Sequence, residues 1–93
     1  MSREVPDEII FTNRGVFRIP PYARRAMTER NITADEVEEA INSGLTKSYK
    51  DGTQSRVSYY DQTTNIFVAT TPEGAIVTTF GPDVGERYFD ALN

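Results

Sequence analysis

Ninety-three residues suffice for one domain with a modest core, and a net charge of −4 gives no overall attraction for nucleic acid. With neither cysteine nor histidine, disulfides, the usual transition-metal sites and histidine-based catalysis are excluded, so no metal or cofactor is expected and proton transfer falls to carboxylates, tyrosine or lysine. The start "MSREVPDEII" lacks a signal-peptide pattern and no apolar run nears the roughly 20 residues of a membrane span, so a cytoplasmic protein is expected, with no membrane contact.

"EIIFT" (8–12) and "VFRI" (16–19) read as short extended segments around a turn at Asn13–Gly15. Pro20 and Pro21 stop the second segment and suit the first positions of a helix over about 21–30. On that helix Tyr22, Ala26 and Arg30 stack at i, i+4 and i+8, and Arg25 falls near the Tyr22 face at i+3. Asn31 sits where a left-handed residue ends a helix. Thr33 to Glu36 form a capping box that opens a second helix. Its buried stripe is Ala34, Val37, Ala40 and Ile41, and its acidic side reads as a solvated face. Gly44 suits the position just past its end.

A meander follows. "LTKSYKD" and "QSRVSYYD" are strands around the turn "DGT" (51–53), and "DQTTN" (61–65) is a longer hairpin loop. "NIFVATT" and "AIVTTFG" flank the tight turn "PEG" (72–74). "GPDVGERYFDALN" offers a short terminal helix packed through Tyr88, Phe89 and Leu92. The expected architecture is a single α+β domain over residues 1–93, with two helices on an antiparallel meander of about four strands after a short N-terminal extended segment.

Charge is unevenly spread. Residues 14 to 30 carry Arg14, Arg18, Arg24, Arg25 and Arg30 against Glu29 alone, whereas residues 51 to 93 carry Arg56 and Arg87 against six acids. Two readings stay open at this point: an anion-binding face on an acidic body, or arginines that merely solvate one helix and its approach.

"YARRAMTERNITADEVEEAINSG" resembles small prokaryotic domains of the pattern H-A-x-x-R-M-x-x-R-G-I-(S/T)-x-x-x-V-x-x-A-I-x-x-G, and "KDGTQSRVSYYD" and "NIFVATTPEGAIVTTF" resemble their tail, so the likeness spans roughly residues 22 to 80. Such domains are placed with the barnase, EndoU, colicin and RelE superfold of toxin-type ribonucleases. Ala23, Met27, Arg30, Ile32, Thr33, Val37, Ala40, Ile41 and Gly44 match that pattern, and Thr78 matches the polar residue of its last strand. Tyr22 stands where the pattern has histidine, Ala26 where it has the first arginine, and Asn31 where it has glycine. The packing positions are kept and two charge-bearing positions are changed.

The resemblance implies metal-independent RNA cleavage, in which arginine stabilises charge at phosphorus and a tyrosine or lysine with a lowered pKa moves the proton. Tyr22, Arg30, Arg56, Tyr60 and Thr78 are then the catalytic candidates, and Arg25, Lys47 and Lys50 the substrate-binding ones. Alternation puts Arg56, Ser58 and Tyr60 on one strand face, so catalysis needs that face to meet Tyr22 and Arg30 in a shared cleft. Thr78 would share a face with Ile76 and Phe80. The implied partners are RNA and a cognate immunity or antitoxin protein, and a secreted toxin would act in a target-cell cytoplasm. The alternative is a non-catalytic RNA- or protein-binding regulatory module, monomeric or paired through an exposed sheet edge.

Overall fold

A computed structural model describes residues 6–92. The chain opens with a hairpin: β1 (Glu8–Thr12) pairs antiparallel with β2 (Gly15–Ile19), setting Ile10 opposite Phe17 and Phe11 opposite Val16. Alternation gives it two faces. Ile10, Phe17 and Ile19 are buried, while Ile9, Phe11 and Val16 are exposed.

Helices α1 (Pro21–Glu29) and α2 (Ala34–Ser43) follow, then β3 (Leu45–Asp51), β4 (Gln54–Asp61), β5 (Ile66–Thr70) and β6 (Ile76–Phe80), which form an antiparallel sheet in chain order. This is the expected α+β arrangement. Pro21 lies in the first turn of α1, and Asn31 ends the helix region with φ 59. At α2 the Thr33 hydroxyl accepts from the Glu36 N–H at 3.1 Å, and the Glu36 carboxylate accepts from the Thr33 N–H at 2.9 Å. Both helices pack on one sheet face, where Ala23, Met27, Val37, Ala40 and Ile41 meet Tyr59, Ile66, Val68 and Ile76. Each large side chain fully buried there contributes roughly 1.5–3 kcal/mol.

The opposite face carries a smaller core. Tyr60, Phe67, Ala69 and Phe89 cluster under the short helix α3 (Glu86–Asp90), with the Tyr60 and Phe89 rings stacked at 6.1 Å. A sheet covered on both faces explains why β5 is buried along its whole length and why its sequence shows no clean alternation.

Two local expectations are corrected. Gly44 caps α2 with φ −79 rather than in the left-handed region; it is needed because a Cβ would lie 2.7 Å from the Tyr60 carbonyl oxygen. In β6, Ala69 faces Thr78 but Thr70 faces Ile76, so Val77 is the extra residue of a bulge. The bulge turns Ile76 into the core under the helices, and Thr78 no longer shares its face.

Candidate functional site

The sheet itself decides whether the candidate residues meet. Arg56 and Tyr60 project from β4 on the α3 side, because their neighbours Val57 and Tyr59 belong to the core under α1 and α2. Tyr22 and Arg30 sit on α1, which packs against the edge strand β6 on the other side. The shared cleft expected from the sequence is therefore not formed.

Several of the candidates have an identifiable local role. Tyr60 is 3% exposed, stacks on Phe89, and donates its hydroxyl to Asn65 Oδ1 at 2.6 Å. Burial first, then the carboxylates of Glu86 and Asp61, push its pKa upward, the opposite of what a phenol needs to act as a base. The cavity beside Tyr60, about 210 Å3, is lined by Glu39 and Asp61 and by no lysine or arginine, a poor setting for phosphate. Arg30 donates to the Thr79 carbonyl at 3.0 Å, and the Tyr22 hydroxyl reaches the Ile76 carbonyl at 3.5 Å. Both α1 side chains thus satisfy backbone groups of β6. Thr78 lies between those two residues on the same strand, partly buried.

Lys47 stays with α3. Its ammonium donates to the carbonyls of Phe89, Asp90 and Leu92 at 2.9, 3.1 and 3.2 Å and lies 5.0 Å from the Phe89 ring centroid. It closes the helix C-terminus, where a cation is favoured. Lys50 donates to Ser55 Oγ at 2.9 Å. Lys50 and Arg56 do come together, with Tyr49 and Pro72, around an open groove of about 520 Å3 at the far end of the β3–β4 hairpin. Burial, then Tyr88 and Asp51, raise the Tyr49 pKa against the opposing pull of Arg56.

The arginine cluster near the N-terminus is largely committed to the fold as well. Arg14 donates through Nε to the Ile41 carbonyl at 2.6 Å, at the end of α2, and lies 5.7 Å from the Tyr59 ring centroid. Arg18 pairs with Asp7 at 3.7 Å and Arg24 with Glu8 at 3.6 Å. Arg25, exposed near Tyr22 on α1, makes no such bond among the described residues.

The feature that site reasoning missed is apolar. Phe11 is 72% exposed, Val16 54% and Ile9 47%, on the outer face of the β1–β2 hairpin. Phe11 and Val16 are direct cross-strand partners, and Ile9 is two residues along the same face, so the three form one patch. The sequence signal was "EIIFT" beside "VFRI", apolar at consecutive positions where a one-sided strand would alternate. Compared with known proteins, the chain matches no family model, no curated protein and no solved structure.

Proposed function

We propose that this chain is a non-catalytic protein-binding module whose docking surface is the outer face of the β1–β2 hairpin. The observation that carries the reading is the contiguous Ile9, Phe11 and Val16 patch, three large apolar side chains left in water on the face turned away from the core. Beside it on the same face stands Arg18, opposite Ile9 and paired with Asp7, both partly exposed. An apolar centre with a polar rim is the usual anatomy of a protein interface. The partner is thus a protein with an apolar groove for the Phe11 ring and charges of both signs around it.

Catalysis is disfavoured by the separation of Arg56 and Tyr60 from Tyr22 and Arg30 across the sheet. A toxin-type ribonuclease descended from the scaffold that the α1–α2 segment resembles would, on this reading, have lost its chemistry and kept its packing. A second reading, RNA recognition by α1, draws on Tyr22 and Arg25, both exposed and three residues apart.

Affinity capture with the wild type and Phe11→Asp tests the proposal. A partner retained by the wild type, reconstituted from pure proteins and weakened at least about tenfold by the substitution, supports it. Capture and affinity indifferent to Phe11→Asp, alongside RNA gel shifts lost on Arg25→Ala, would move the function to α1.

A further inference from the structure

The two edges of the four-stranded sheet are treated differently. β6 is guarded: Arg30 and Tyr22 bond its carbonyls, the Val77 bulge breaks its regularity, and β2 leans on its approach through the Arg18–Ala75 bridge. β3 carries none of these devices. It runs seven residues, Leu45–Asp51, without proline or bulge, and among the described residues no hydrogen bond from outside the sheet reaches its backbone. Lysine commonly deters edge pairing, yet both lysines of β3 are turned away from the edge. Lys47 is drawn onto the carbonyls that end α3, and Lys50 onto Ser55 of β4.

We propose that β3 pairs antiparallel with β3 of a second copy of this chain, joining two four-stranded sheets into one of eight about a two-fold axis through Tyr49. Charge selects the partner and the register. Lys47, Tyr49 and Asp51 share the α3 side of the sheet, since they face Ser58, Arg56 and Gln54 across β4. With the axis at Tyr49, Lys47 lies opposite the partner's Asp51, and Asp51 opposite the partner's Lys47, so one contact forms twice. The two tyrosines face each other between these pairs, and Ser48 faces the partner's Lys50. An axis at Lys50 would instead oppose two like charges. The three N–H groups of Lys47 are already given to the carbonyls that end α3, so its charge acts on the incoming carboxylate through space and the two need not share a hydrogen bond.

This surface is separate from the one proposed for partner binding, and its test is separate too. Pairing at β3 uses none of Ile9, Phe11 and Val16, so the dimer presents two docking faces and binds a repeated partner with avidity. Light-scattering mass across a dilution series should give a dimer that dissociates on dilution. Asp51→Lys, a change at an exposed position, sets lysine against lysine twice and should weaken association roughly tenfold with an unchanged circular-dichroism spectrum. Phe11→Asp should leave it intact. Because the chain has no cysteine, single-thiol variants fix the register: Tyr49→Cys should form a disulfide dimer under mild oxidation, and Ser48→Cys should not. A wild type that stays monomeric throughout overturns the proposal. So does a dimer broken by Phe11→Asp but not by Asp51→Lys, or one in which Ser48→Cys crosslinks ahead of Tyr49→Cys.

Discussion

At the scale of single residues, arginine and tyrosine in this chain act as fasteners. Arg30 holds a carbonyl of an edge strand, Arg14 one at the end of a helix, and Tyr60 an asparagine in the loop before β5. Arg30→Ala should therefore cost about 1 kcal/mol of stability by denaturant titration, while leaving RNA untouched in both proteins. Tyr60→Phe removes a hydroxyl from a buried pair and orphans the Asn65 oxygen, so a loss of about 1–2 kcal/mol at neutral pH is expected. It should also alter the response to alkali. Burial raises the Tyr60 pKa in the folded state, so the unfolded chain ionises first. The stabilisation is complete below about pH 10, the unfolded value, and is lost as pH climbs through the higher folded value. The wild type should lose stability steeply in that window, and Tyr60→Phe less so; parallel curves for the two proteins would show that another group governs the alkaline limb.

At the scale of elements, helix ends and turns were legible because each depends on a few adjacent residues. The Thr33–Glu36 box, the proline start of α1 and the Asn31 stop follow from local chemistry, and Thr33→Ala should cost about 1 kcal/mol in a thermal or denaturant melt. What adjacent residues cannot report is which sheet side receives which helix. Alternation correctly grouped Arg56 with Tyr60, but nothing within β4 says that α1 and α2 cover the Tyr59 side. The Val77 bulge was hidden for a similar reason, since it exists only relative to the register of β5. Gly44 shows the same division: glycine was expected there, but its cause lies in another element, the approach of α2 to β4. Gly44→Ala would press a Cβ against the Ala40 and Tyr60 carbonyls, and a loss of about 3 kcal/mol or more should appear in the same melts. A tolerated alanine would mean that the α2–β4 contact has slack.

At the scale of the whole molecule, the fold separates its surfaces. Two helices seal one sheet face, α3 seals the other, one sheet edge is guarded, and the hairpin turns its apolar side outward. Because Phe11 touches solvent rather than core, Phe11→Asp should change stability by no more than about 0.5 kcal/mol while abolishing partner binding, a split that a packing residue does not show. The fold distributes Tyr22, Arg30, Arg56 and Tyr60 over two sheet sides with the backbone between them. The most direct test of that distribution is to incubate purified protein with structured RNA in EDTA and follow the RNA over time. Intact RNA, with Arg30→Ala differing from the wild type in stability alone, is the predicted result. Progressive cleavage by the wild type, lost in a still-folded Arg30→Ala variant, would contradict it.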